Sequence, residues 1–109
     1  MLRLRTFAAA AALAATTALL GAAAPPPNLV TIGNFTFAPQ VLTVRQGATV
    51  TWVNGDDIPH TVVATDQGFK SKVLDTDGRF SFTFAKPGTY AYFCSIHPHM
   101  TGKVVVTGP

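Results

Sequence analysis

Arg79-Phe80-Ser81-Phe82-Thr83-Phe84, followed by the turn Lys86-Pro87-Gly88 and by Thr89-Tyr90-Ala91-Tyr92-Phe93, decides the fold. Its first half sets three phenylalanines on one face and polar residues on the other, the period of two of a strand lying over a core. Upstream the same period recurs. Leu29, Val30 and Ile32 open a β-rich stretch, Phe35 and Phe37 alternate with Thr36, and Leu42 and Val44 alternate with Thr43 and Arg45 ahead of a Gln46-Gly47 turn. In Ala48-Thr49-Val50-Thr51-Trp52-Val53 the apolar residues and the threonines fall on opposite faces, and Asn54-Gly55-Asp56-Asp57 is a dense turn signal. Thr61 to Ala64 resumes strand character, Thr65 to Lys72 reads as a polar, glycine-containing loop, and Gly102 to Thr107 closes the chain as a strand. Nothing after Pro27 has helical apolar spacing. Seven to eight short strands with frequent turns predict an all-β sandwich, with Phe80, Phe82, Phe84 and Trp52 in its core.

The first 24 residues do not belong to that fold. Arg3 and Arg5 form a basic start, Phe7 to Leu20 is rich in Ala and Leu, and Gly21-Ala22-Ala23-Ala24 offers a small-residue cleavage site between Ala22 and Ala24, which together read as an export signal. The same stretch left uncleaved would be a short membrane anchor. Residues 25–28, with three prolines, are an extended linker, and residues 29–109 are the domain. Cleavage after residue 24 leaves 85 of the 109 residues, one small core that buries roughly 60% of its unfolded surface. It also removes two arginines, so that six Lys and Arg face five Asp and the +3 of the whole chain becomes +1. The scattered positive charge carries no nucleic-acid footprint.

An exported domain with a single cysteine cannot form an internal disulfide, so Cys94 needs another explanation. It opens Cys94-Ser95-Ile96-His97-Pro98-His99-Met100, in which Cys-x₂-His-x₂-Met sets a thiolate, an imidazole and a thioether in one loop. Soft thiolate and thioether ligands suit Cu(I), imidazole suits Cu(II) as well, and a His₂Cys set with a weak axial Met is a blue-copper arrangement. His60, in Asp57-Ile58-Pro59-His60-Thr61, supplies the second imidazole, because the other two of the three histidines are already in the loop. His99 is at the poorer spacing and reads as a non-ligand. Taken alone, the loop also admits a Cys-His-His zinc site, in which Met100 has no purpose, or a buried structural thiol.

These residues resemble the cupredoxins, and among them the amicyanins, over the whole of the chain that cleavage leaves. The resemblance rests on Gly47-Ala48-Thr49-Val50-Thr51-Trp52-Val53-Asn54, on Ile58-Pro59-His60, on Pro87-Gly88-Thr89-Tyr90-Ala91-Tyr92-Phe93-Cys94 and on the run from His97 to Val106. It implies a Greek-key sandwich and one copper ion cycling between Cu(I) and Cu(II), held by His60, Cys94 and His97 with Met100 axial. Three positions depart from the family pattern. Thr61 replaces an Asn that ties the two ligand loops together, and is expected to bond more weakly. Ile96 replaces a Pro, so its N–H can donate to Cys94 Sγ. His99 stands where the family has an aromatic residue.

A site with all four ligands bound has no open position for substrate, and the domain is too small for a multi-domain copper oxidase. The expected role is therefore not enzymatic: a monomeric periplasmic carrier of single electrons, docking redox partners (a dehydrogenase, cytochrome or oxidase) at a patch of Ile58, Pro59, Ile96, Pro98 and His99. A periplasmic copper carrier or chaperone uses the same residues and is the alternative.

Overall fold

The computed structural model describes residues 28–109. The expected export signal and the three prolines of the linker lie outside the described residues. Eight strands follow in order: β1 (Leu29–Gly33), β2 (Thr36–Ala38), β3 (Val41–Arg45), β4 (Thr49–Asn54), β5 (Val63–Ala64), β6 (Arg79–Thr83), β7 (Gly88–Phe93) and β8 (Thr101–Thr107). They form two four-stranded sheets, ordered β2-β1-β4-β6 and β3-β8-β7-β5. The expected all-β sandwich is what the chain adopts. Every connection from β2 to β7 changes sheet, which is Greek-key wiring, and it leaves β1 parallel to β4 and β3 parallel to β8.

β4 illustrates how the alternation builds this. Val50, Trp52 and Asn54 point inward and are fully buried. On the outer face Thr49 and Thr83 hydroxyls pair at 2.7 Å and Thr51 and Ser81 hydroxyls at 2.8 Å, each between residues directly opposite in the β4–β6 register. Cross-strand pairs of this kind add about 0.2–1 kcal/mol each.

The stretch from Thr65 to Lys72 departs from its reading as a polar loop. Phe69 is 5% exposed and its ring lies 5.8 Å from Trp52, 4.8 Å from Phe82 and 5.6 Å from Phe84. Ser71 is buried as well, accepting the Val62 N–H at 2.8 Å and donating to the Lys72 carbonyl at 2.7 Å. A lone aromatic among polar residues has no period to betray it. The strand expected from Thr61 is also shorter, since β5 begins only at Val63 and His60 pairs with Leu74 in an isolated bridge. At the other end, β1 pairs with β4 from Leu29 opposite Thr51, and the Asn28 carbonyl accepts the Thr51 N–H at 2.9 Å.

Candidate metal centre

Three connections meet at one end of the sandwich: the β1–β2 turn, the loop from Asn54 to His60, and the loop from Cys94 to Met100 that joins the paired strands β7 and β8. The last has a simple construction. Phe93 and Thr101 are opposite each other in the β7–β8 register, so the seven residues between them form a hairpin loop. Within it His97 N–H donates to the Cys94 carbonyl at 3.1 Å, Met100 N–H to the His97 carbonyl at 2.9 Å, and Cys94 N–H to the Met100 carbonyl at 3.1 Å. Two successive i to i+3 turns thus fold the loop back, with Cys94, His97 and Met100 at their corners. Alternation in β7 does the rest: Tyr92 and Cys94 are both buried, so the sulfur faces inward.

His60 is delivered by the other loop. Asn54, at the end of β4, uses its amide to donate to the Ile58 carbonyl at 2.9 Å and the Leu74 carbonyl at 2.8 Å, while its Oδ1 accepts the Asp56 N–H at 2.9 Å. The His60 main chain then exchanges hydrogen bonds with Leu74. Held this way, His60 is fully buried and its Nδ1 lies 3.8 Å from Cys94 Sγ, with His97 Nδ1 3.6 Å from the same sulfur. Ligand atoms of all three residues lie within 4.8 Å of one another. Met100 is 4% exposed and lies among the core side chains, whereas His97 is half-buried. His99, read as a non-ligand, is exposed and does not join the cluster.

The sulfur is electrostatically prepared. Burial pushes the Cys94 thiol up, but the Thr61 N–H, the His60 ring, the Ile96 N–H and the His97 ring together outweigh it and bring the pKa down to about 6. Hydrogen bonds from main-chain N–H groups favour the charged form of a thiol. The Thr61 N–H stands 3.3 Å from Sγ. Thr61 also ties the two ligand loops more firmly than its short side chain suggested, because its hydroxyl meets the Ser95 hydroxyl at 2.8 Å and accepts the Ser95 N–H at 2.8 Å.

Two residues around the site were not legible in the sequence. Asp56 Oδ2 lies 2.7 Å from His60 Nε2 and so accepts its N–H, which leaves Nδ1 as the nitrogen free to coordinate. The Asn34 and Phe35 N–H groups hold that carboxyl below its ordinary range, with the His60 ring contributing less. Phe35, expected to alternate with Phe37 along a strand, instead occupies the β1–β2 turn with φ of 59° and lies edge-on to both imidazoles, 5.5 Å from His60 and 5.0 Å from His97. Asp56 was hidden inside a turn signal, and Phe35 inside an apparent period of two.

A buried cysteine sulfur and two imidazoles, with a buried methionine at the end of the same loop, match the soft and borderline ligands that copper takes. His60, Cys94, His97 and Met100 form a site consistent with a type 1 copper centre. The chain is 35% identical over 83 residues to an amicyanin of Paracoccus versutus, an alignment that covers 72% of this chain and 63% of that protein. Among solved structures, it is similar to a purple cupredoxin from Nitrosopumilus maritimus, at 34% identity and a TM-score of 0.70 over 72% of this chain and 98% of that one. A reduced Cu(I) form of an amicyanin variant matches at 37% identity and a TM-score of 0.70, over 78% of this chain and 86% of that one. Residues 4–106 match the family model of the cupredoxin-like domain, and with the sandwich and the ligand cluster at one end of it already described, the chain belongs to the cupredoxin family.

Proposed function

We propose that this protein is an exported, periplasmic electron carrier in which His60, Cys94, His97 and Met100 hold one copper ion. The observation that carries the reading is the cluster of two imidazole Nδ1 atoms around the buried Cys94 sulfur, with ligand atoms within 4.8 Å of one another. Bound copper supplies a one-electron Cu(I)/Cu(II) couple. The protein's own part is to keep the ligands in place in both states: Asn54 and the Leu74 bridge fix His60, the two turns fix the loop, and Thr61 with Ser95 ties one to the other. A rigid frame of this kind limits the rearrangement that each electron transfer requires. Such a site has no position for substrate, which fits a carrier rather than an enzyme.

His60, Cys94 and Met100 are at most 4% exposed, so His97 is the ligand nearest to solvent and the favoured route for the electron. Around it Ile58, Pro59, Ile96, Pro98 and His99 are all exposed, a mostly apolar surface suited to the small, short-lived interfaces of redox partners. The burial of the other three groups weighs against a copper-delivery role, in which the recipient must reach the ligands.

Two measurements test the reading. Cu(II) added to the purified metal-free protein should give an intense visible thiolate-to-copper band and a compressed copper hyperfine splitting in EPR, both lost in Cys94→Ser; a wild-type protein without either would sink the assignment. Replacing Pro98 with Glu should slow electron exchange with a partner while leaving that band in place, and loss of the band would place Pro98 in the site's support rather than in the docking surface.

A further inference from the structure

The Asp56 carboxylate accepts three hydrogen bonds at once. Its Oδ1 accepts the Asn34 N–H at 2.7 Å, and its Oδ2 accepts both the Phe35 N–H at 3.1 Å and the His60 Nε2–H at 2.7 Å. Its own main chain is pinned from the other side, where Asp56 N–H donates to Asn54 Oδ1 at 2.9 Å and the Asp56 carbonyl accepts the Thr76 hydroxyl at 2.7 Å. The carboxylate therefore cannot swing away as a surface aspartate would. The turn that it binds needs holding. Asn34 and Phe35 both take left-handed backbone angles, φ of 51° and 59°, a region that Asn tolerates and a bulky side chain such as Phe disfavours. Accepting both N–H groups on one carboxylate compensates for that conformation, and it has a consequence for the site. The left-handed turn swings the Phe35 ring off the strand's face and onto the metal-ligand cluster, perpendicular to His60 and His97 at 88° and 89°. Phe35 is still 43% exposed, so it forms the outer surface beside His97.

We propose that Asp56 is a positioning residue that clamps His60 and the Asn34-Phe35 turn together, fixing Phe35 as an aromatic cover over both imidazoles. One carboxylate then performs two tasks: it sets which nitrogen of His60 faces the metal, and it keeps solvent from the outer edge of the histidine pair. The part concerning metal rests on the proposed function; the clamp itself belongs to the metal-free protein and is tested there.

The experiment is NMR on the metal-free chain, followed by Cu(II) titration. In the unmodified protein, His60 should show a single Nε2–H tautomer, and the Asn34 and Phe35 amides should be protected from hydrogen exchange; absence of either overturns the clamp without recourse to a variant. Asp56→Asn should turn His60 into a mixture of tautomers and speed exchange at those two amides about 10-fold or more, and it should weaken Cu(II) binding by about 10–100-fold, the usual loss on removing a histidine's carboxylate partner. Phe35→Leu should keep the tautomer and the amide protection and abolish the ring-current shifts on the His60 and His97 ring protons. Unchanged exchange and an unchanged tautomer in Asp56→Asn would overturn the proposal, as would unchanged ring shifts in Phe35→Leu. A wild-type chain that passes the metal-free tests yet binds no Cu(II) would uphold the clamp and overturn the metal assignment.

Discussion

Single residues at Cys94 and Tyr92 show how burial and hydrogen bonding compete for one proton. At Cys94 the hydrogen bonds win, and one of them distinguishes this chain: the Ile96 N–H contributes to lowering the thiol pKa, although the 3.3 Å bond to the sulfur comes from Thr61. Electron density withdrawn from the sulfur favours the reduced metal. Ile96→Pro, which deletes that N–H, should therefore lower the midpoint potential in a redox titration; an unchanged or higher midpoint would show that the N–H plays no part in tuning. At Tyr92 burial wins and pushes the phenol up to about 12, with the Trp52 indole opposing it. Neither Tyr92 Oη nor Trp52 Nε1 completes a hydrogen bond to another protein atom, so the opposition is slight. Because the folded state keeps this proton longer than the unfolded state, the stability it contributes is complete below pH 10 and disappears as pH rises towards 12. Urea unfolding of the metal-free protein at pH 9 and pH 12 should differ by roughly 2–3 kcal/mol more in the wild type than in Tyr92→Phe. A residue's identity and spacing made the ligands legible at this scale. Its environment did not show, which is why neither shift could be read from the chain.

At the scale of elements, the β7–β8 hairpin joins core and metal site in one unit. Tyr92 stands opposite Gly102, and a Cβ built on Gly102 would lie 2.5 Å from the Tyr92 ring. The glycine is needed for room, not for backbone freedom. Gly102→Ala should lower stability by about 1–3 kcal/mol, the range for an overpacked core, and calorimetry on the metal-free variant measures it; full stability would mean that Tyr92 can move aside. The segment between β5 and β6 makes the opposite point. Phe69 fills the space between Trp52 and the phenylalanines of the β6 strand and its continuation, so Phe69→Ala should cost about 3–5 kcal/mol in denaturant unfolding. A cost under 1 kcal/mol would mean that the ring is dispensable. Strand alternation exposed β4, β6 and β7 in the sequence because each strand repeats its signal over five or six residues. Phe69 has one residue's worth of signal, and Phe35 carries a false one.

Over the whole molecule the metal site is a further tie between parts of the chain that β5–β7 pairing and the Thr61–Ser95 bonds already bring together. Loops from β4–β5 and β7–β8 carry the four groups, 34 residues separating His60 from Cys94. An ion bound to all four should therefore stabilise the folded state by mass action, by about 4 kcal/mol when free copper is 1,000-fold above its Kd. Adding Cu(II) should raise Tm and removing it with a chelator should restore the lower value; a Tm indifferent to copper would mean that these groups do not bind it together in the native state. The sequence by itself determined the all-β class, the core faces of β4 and β6 and the Cys-x₂-His-x₂-Met loop, because those depend on periods and spacings within a few residues. Even the choice of His60 followed from there being three histidines. Tertiary structure decided what no local pattern encodes: that Thr61 and Ser95 bind the two loops, that Phe69 belongs to the core, and that Asp56 reaches back 22 residues to Asn34. Each of these depends on which strand ends meet at the same end of the sandwich, and that is settled by the pairing of β1 with β4 and β7 with β8 across the whole fold.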